Sequence, residues 1–174
     1  MVATLEIVDT AIKVGLGALI SGVTTYFVTT RTHSHEIQKS FQNEQKELLK
    51  EASIKLERCG SLLNEARQSV YLLVISADPD KETKFHEVSK SFTAAFNYAR
   101  ESRSLCYMIG QRDLAVLITG YCDAISELTV HYQEKRLSYD HDFVEGNTKK
   151  LGEMKTEILE NFSGALRSIY ISSR

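Results

Sequence analysis

The residues best suited to chemistry lie in one stretch rich in arginine and tyrosine, YARESRSLCYMIGQR. Four of its side chains form the candidate site: Arg100, Arg103, Tyr107 and Arg112. Arginine grips phosphate oxygens with paired donors, and tyrosine stacks on a base or donates from its hydroxyl. We therefore predict that this stretch binds an anionic ligand. A structural role is the alternative, because Glu101 and Asp113 are near in sequence and arginines favour helix C-termini.

Other residue types in the chain give weaker indications of chemistry. The sequence has no phosphate-binding glycine loop, nucleophile elbow, H-E-x-x-H motif or Cys/His zinc spacing. His33 and His35 point to different sides of a helix, and the consecutive residues 140–142 seldom form a metal site alone. We expect no catalytic residue, no metal and no cofactor, and hence a non-enzymatic protein.

One spacing supports an alternative hypothesis. Arg136 and His141 are separated by four residues, which resembles the Arg and His pair of HEPN ribonucleases, a family of helical bundles that cleave RNA. The similarity covers those six positions, and Leu137 stands where the family usually has a polar residue. It implies that His141 is the acid and base, while Arg136 stabilises phosphate charge.

The rest of the chain is organised around the segment 11–30, which carries no charge between Lys13 and Arg31. As a helix it is about 30 Å long, enough to cross a bilayer. We predict a single transmembrane helix after an outward-facing tip at 1–10, since Lys13 is close enough to one end to reach headgroups. A buried helix of a soluble protein is the alternative. Basic residues follow the segment, as at Arg31 and Lys39, so the C-terminal side should be cytoplasmic.

Small residues recur along one side of this helix. They are Ala11, Gly15, Ala18, Gly22, Thr25 and Thr29, spaced by three or four positions. Such a seam lets helix backbones approach closely, so we predict a homo-oligomer of this chain. The alternative is that glycine and alanine are simply common in membrane helices.

The rest of the chain reads as helix throughout. Residues 31–47 are polar and predict a helical stalk, whereas apolar residues recur every three or four positions from 48 to 174. We predict an all-α chain whose cytoplasmic domain is an antiparallel four-helix bundle. Asp78 and Pro79 should begin its second helix, Gly110 should end that helix, and Asn147 should cap the last one.

Charge and cysteine content narrow the classes of partner and compartment. The net charge is −2, which gives no reason to expect binding to duplex nucleic acid. Three cysteines, Cys59, Cys106 and Cys122, fall on apolar helical stripes. Their odd number and lack of pairing predict reduced thiols in the core.

A short tip, one small-residue-rich span and a compact helical domain together resemble the small single-span membrane effectors of bacterial antiphage defence, including CRISPR-associated ones gated by cyclic oligonucleotides. This resemblance implies a bacterial inner-membrane protein with its N-terminus outside. A messenger would bind the cytoplasmic oligomer and rearrange the spans, which would perturb the membrane. The competing hypothesis is a membrane-tethered scaffold that recruits a cytoplasmic protein partner.

Overall fold

A computed structural model describes residues 2–75, 81–135 and 141–171, with side chains over 13–73, 81–134 and 145–171. These ranges form four helices: α1 (Val2–Ile75), α2 (Lys81–Met108), α3 (Arg112–Lys135) and α4 (His141–Ile171). No strand occurs within them, so the prediction of an all-α chain is confirmed. The chain divides into two units, Met1–Asn43 and Glu44–Arg174.

The prediction of a transmembrane helix at 11–30 is wrong. Across the described residues, no helix has both the length and the apolar character that a membrane span requires. The segment instead lies inside α1, where four threonines, one serine and three glycines dilute its large apolar residues. The predicted location, as a single-pass protein of the bacterial inner membrane, is therefore also wrong.

The core of the second unit is a helical bundle built on a repeat of alternating three- and four-residue steps. On α1 the buried positions are Leu49, Ala52, Leu56, Cys59, Leu63, Ala66, Val70 and Leu73. On α2 they are Val88, Phe92, Ala95, Ala99, Ser102 and Cys106. This period of 3.5 residues keeps one stripe of each helix facing its neighbours, as in left-handed helical bundles.

Two contacts between α1 and α4 show that these helices run in opposite directions. The Lys155 ammonium lies 2.9 Å from the Glu57 carboxylate, whereas the Lys46 ammonium lies 4.1 Å from the ring centre of Tyr170. Partner positions on α4 therefore fall as positions on α1 rise. Between α1 and α2, the buried Ser102 hydroxyl donates to the carbonyl of Ala52 across 2.7 Å.

Helix α3 lies between α2 and α4. Tyr132 stacks on Phe85 with ring centres 4.7 Å apart and lies 5.3 Å from the ring of Phe92. On the other side of α3, a β-carbon at Gly120 would lie 3.8 Å from the side chain of Met154. Helix α3 therefore packs against both α2 and α4. Because α1 contacts both α2 and α4, the order α1, α2, α3, α4 closes back on α1.

The corner between α2 and α3 is as predicted at Gly110. This residue has a φ of 76°, a left-handed conformation that glycine adopts without steric cost. The backbone amide of Gly110 donates to the carbonyl of Tyr107 across 3.1 Å, and the backbone amide of Gln111 donates to the carbonyl of Cys106 across 2.9 Å. These two bonds form a Schellman cap, which satisfies carbonyls at the end of α2.

Two other predicted boundaries have different outcomes. Helix α4 begins at His141, so Asn147 lies inside it and the predicted cap at Asn147 is wrong. The acidic and glycine-containing sequence before Asn147 suggested a loop, but the helix extends through it. Asp78 and Pro79 lie outside the described residues.

The three cysteines are buried free thiols, which confirms the prediction of reduced core residues. Burial raises the pKa of both Cys59 and Cys106 to about 12. Burial also raises the pKa of Cys122 and of Tyr121, which lies within hydrogen-bonding reach of Cys59. All four groups are therefore neutral in the folded protein at physiological pH.

Candidate functional site

The predicted anion-binding residues occupy the second half of α2 and the first position of α3. Arg100, Arg103 and Tyr107 follow one another at steps of three and four on α2, so they share one side of that helix. Arg100 and Arg112 are exposed, whereas Arg103 is half-buried. Binding of an anionic ligand by these four side chains stays a prediction.

Arg100 lines a shallow groove of about 560 Å³ between α1 and α2. The other lining residues are Lys55, Asn97, Glu101, Ser104 and Leu105, and they do not include Arg103, Tyr107 or Arg112. The groove therefore brings one predicted arginine together with residues that the sequence analysis did not select. The step from Asn97 to Arg100 to Ser104 on one helix face could have suggested two of them.

The two cations of this groove differ in their surroundings. The Lys55 ammonium is 2.7 Å from Glu101 and 3.6 Å from Glu51, and its pKa is raised mainly by the hydrogen bond to Glu101. By contrast, no carboxylate of the described residues forms an ion pair with Arg100. The positive charges of Arg103 and Arg100 also act on the Cys122 thiol, where they partly offset the rise in pKa that burial causes. Arg100 is therefore the groove cation with more capacity for an external anion.

The residues of the HEPN-like spacing lie at the edge of what the structure describes. Arg136 is outside the described residues, and His141 is described only as the first residue of α4. The ribonuclease hypothesis therefore stays a prediction. Among the described His, Cys, Asp and Glu side chains, no group of three or more has the arrangement of a metal site.

The largest exposed feature is a segment of α1 that we call the arm, residues 13–41. Every side chain of the arm is exposed. It includes ten large hydrophobic residues, each with 48% to 69% of its surface exposed: Val14, Leu16, Leu19, Ile20, Val23, Tyr26, Phe27, Val28, Ile37 and Phe41. Contiguous apolar surface of this kind marks an interaction site on a protein.

Comparison of the chain with protein-family models, with curated proteins and with solved structures gave no match. Two surfaces of the described residues are candidates for function, the groove and the arm. The arm has far more apolar surface than the groove, and it is helical over its whole length.

The polar groups of the arm are partly satisfied within the helix. The hydroxyls of Thr24, Thr25 and Thr32 each donate to a carbonyl one turn earlier across 2.8 Å. These threonines therefore present mainly their methyl groups outward, as valines would. The glycines are also open: a β-carbon at Gly15, Gly17 or Gly22 would meet nothing within 4 Å.

Proposed function

We propose that this chain is a self-assembling scaffold, in which copies associate through the arm and the helical bundle presents surfaces to other molecules. The single observation that carries the proposal is the row of ten large hydrophobic side chains on the arm, each about half or more exposed. Burying such surface against a partner is the main driving force for protein association.

The size of the arm fits a stable interface. Full burial of one large apolar side chain contributes roughly 1.5–3 kcal/mol, so half to two-thirds of that for each of ten amounts to about 10 kcal/mol or more before entropic costs. Association costs about 4–15 kcal/mol in lost translational and rotational freedom. The gain is of the same order as the cost, so the arm has apolar surface of the size that association requires.

The composition of the arm also favours assembly. Three glycines and eight β-branched residues lie between Lys13 and Thr32. A glycine costs about 1 kcal/mol relative to alanine in a helix interior, and β-branched residues are weak helix formers. Because isolated helices are marginal in water even with good helix formers, packing against a partner must supply most of the stability of this helix.

Two neighbouring substitutions test the proposal. Val23→Glu puts a carboxylate on the apolar side of the arm, and Thr24→Glu puts the same group about 100° around the helix. Both native side chains are exposed in the single chain, so the two variants should behave alike unless copies associate. We expect sedimentation velocity to give an oligomer for the natural chain and for Thr24→Glu, and a monomer for Val23→Glu.

The natural chain gives the decisive result in the same experiment. A monomer across the range from 1 to 100 micromolar would overturn the proposal, because the arm would then be stable without a second copy. Equal loss of the oligomer in both variants would also contradict it, since the apolar side of the arm would not be the interface.

We also propose a second function, binding of an anionic ligand such as a cyclic oligonucleotide by the bundle. Arg100 supports it, because this arginine lines a groove and has no carboxylate partner among the described residues. Arg103, Tyr107 and Arg112 belong to the same proposal as residues of the adjoining surface. An arginine can donate two parallel hydrogen bonds to one phosphate.

Calorimetric titration with inorganic phosphate and a panel of cyclic oligonucleotides tests this second function. We expect Arg100→Gln to weaken binding about tenfold, the effect of losing one charge-assisted contact. Arg167→Gln is the matched control, because Arg167 is exposed on α4. Equal affinities for both variants would contradict the role of the groove.

A further inference from the structure

The arm has two interaction faces of opposite character. At 100° per residue, the side chains of Gly15, Ala18, Gly22, Thr25 and Thr29 point within about 40° of one direction, which we call the small face. Eight of the ten large apolar residues, Leu16, Leu19, Ile20, Val23, Tyr26, Phe27, Ile37 and Phe41, point about 120° away on what we call the large face. The remaining arc carries Lys13, Gly17, Ser21, Thr24 and Arg31, together with the other two large apolar residues, Val14 and Val28.

The small face has the shape of a groove for another helix. A β-carbon at Gly15 or Gly22 would meet no atom of the same chain within 4 Å, so contacts within the chain do not require glycine at these positions. The hydroxyl of Thr25 is bonded to the carbonyl of Ser21 at 2.8 Å, which leaves its methyl group for packing. Two glycines that destabilise a helix by about 1 kcal/mol each are consistent with close approach of a second backbone.

We infer that the arms form a closed parallel ring, in which the large face of each arm packs on the small face of the next copy. This inference rests on the proposed function and specifies its geometry. Large side chains fit against a surface that lacks them, and the two faces of one helix are complementary in this way. A contact between unlike faces repeats from copy to copy, and it closes into a ring when the rotation between neighbouring copies divides a full turn.

The angle between the two faces limits the number of copies. In a ring, each helix meets its two neighbours at the interior angle of a polygon, which is 90° for four copies and 120° for six. The separation of about 120° between the faces therefore predicts about six copies, with four to eight allowed by the breadth of each face. A two-fold dimer through the large face alone would leave the small face uncovered.

Charge is consistent with a second copy of the chain as the occupant of each face. A parallel ring brings identical residues to the same height, so like charges would repel if they lay within the contacts. Lys13 and Arg31 lie on the outer arc, about 80° or more from the centre of either face. Between residues 13 and 31 the ring therefore keeps its charges on the outside, in water. Beyond Arg31, Glu36 points within about 20° of the centre of the small face, so the contact between faces is confined to residues 14–30.

Disulfide trapping with Val23→Cys and Thr25→Cys tests which faces meet. Val23 lies on the large face and Thr25 on the small face, at nearly the same height, and cysteine resembles both in volume. The native thiols Cys59, Cys106 and Cys122 are buried and should not react. We expect neither single variant to cross-link alone, a mixture of the two to give cross-linked pairs, and the double variant to give a ladder that ends at four to eight copies.

Two glycine variants provide a second test under the same conditions. Gly22→Leu fills the small face, whereas Gly17→Leu adds the same side chain on the outer arc, and neither meets its own chain within 4 Å of the added β-carbon. We expect Gly22→Leu to raise the midpoint concentration for assembly by about tenfold or more, and Gly17→Leu to leave it unchanged or lower it.

The outcomes separate the ring from the scaffold on which it rests. A monomeric natural chain overturns both proposals. An oligomer in which Val23→Cys alone forms cross-linked dimers supports the scaffold and overturns the ring, as does an oligomer that the Val23→Cys and Thr25→Cys mixture fails to cross-link. A complex in which single copies of this chain bind a different protein, without contact between copies, would overturn both proposals.

Discussion

The arm and the bundle portion of α1 belong to one helix and have similar apolar spacing, but opposite burial. From Leu49 to Leu73, the apolar stripe of α1 is covered by the other helices of the bundle. From Leu16 to Phe27, large residues also recur at steps of three and four, yet all are exposed. The same pattern is therefore satisfied within the chain in one region and left for a partner in the other.

The difference lies in what surrounds each stripe. In the bundle, small residues such as Ala52, Cys59 and Ala66 alternate with leucines, so large and small side chains interdigitate across neighbouring helices. In the arm, small and large residues lie on separate faces of the helix. This separation suits a helix that repeats the same contact with successive identical neighbours.

The largest expected effect comes from truncating matched phenylalanines in the two regions. Phe92 is buried in the bundle, whereas Phe27 is 68% exposed on the arm. We expect Phe92→Ala to lower the free energy of unfolding of the bundle by about 3–5 kcal/mol, and Phe27→Ala to leave it unchanged while weakening assembly. Urea unfolding followed by the near-ultraviolet signal of the buried tyrosines measures the first quantity. Equal losses would mean that the two regions form one cooperative core.

The next largest effect is a loss of bundle stability at high pH. Burial raises the pKa of Cys59 and Cys106 from 9.0 to about 12, so the unfolded chain releases these protons first. Their contribution is complete below about pH 9 and is lost as pH rises toward the folded-state pKa. We expect about 1 kcal/mol less stability per thiol between pH 9 and pH 10.

Urea unfolding at the two pH values measures this loss. Replacing Cys106 with alanine (Cys106→Ala) should remove about half of the pH-dependent loss of stability that Cys59 and Cys106 cause together. This holds whatever the substitution does to stability at pH 7. A stability that does not fall above pH 9 would contradict the burial of these thiols.

A smaller effect is expected for a buried hydrogen bond between α1 and α2. The Ser102 hydroxyl donates to the backbone carbonyl of Ala52 across 2.7 Å in the core. The Ser104 hydroxyl donates to the backbone carbonyl of Arg100, within its own helix and on the exposed surface. We expect Ser102→Ala to cost about 1 kcal/mol and Ser104→Ala to cost close to nothing. Similar values for both would show that the buried bond does not fix the contact between the helices.

The smallest effect is expected at an ion pair in the groove. Lys55 links α1 to Glu101 of α2 across 2.7 Å, and partly exposed pairs contribute about 1 kcal/mol or less. We expect Lys55→Gln to cost less than about 1 kcal/mol and the cost to shrink in 0.5 M salt. Lys50→Gln, which breaks a pair within α1, should cost less. A cost at Lys55 that salt leaves unchanged would contradict the electrostatic origin.

Much of the bundle could be predicted from the sequence, because its helices are set by local patterns. The three- and four-residue spacing identified every helix, and the need for a left-handed residue located the corner at Gly110. The exact buried positions on α1 could not be predicted in the same way. Leu49 is fully buried, whereas the adjacent Leu48 is only partly buried. Two adjacent leucines fit the same period, and only packing decides between them.

The arm was harder to interpret because a long apolar helix suits more than one environment. Its length and lack of charge fit a bilayer, but hydropathy depends on the sum of its residues, and threonine and glycine reduce that sum. The groove residue Lys55 was missed for another reason. It is distant from Glu101 in sequence, and their contact depends on how α1 and α2 pack.

Hydrogen exchange of the full chain at two concentrations tests the central claim most directly, because it reports the stability of the arm separately from that of the bundle. The account predicts that backbone amides of 13–41 are protected at high concentration and lose protection on dilution, while those of 49–73 stay protected at both. Arm protection that does not change with concentration would contradict assembly as its source, and so would an arm that exchanges freely even at the highest concentration.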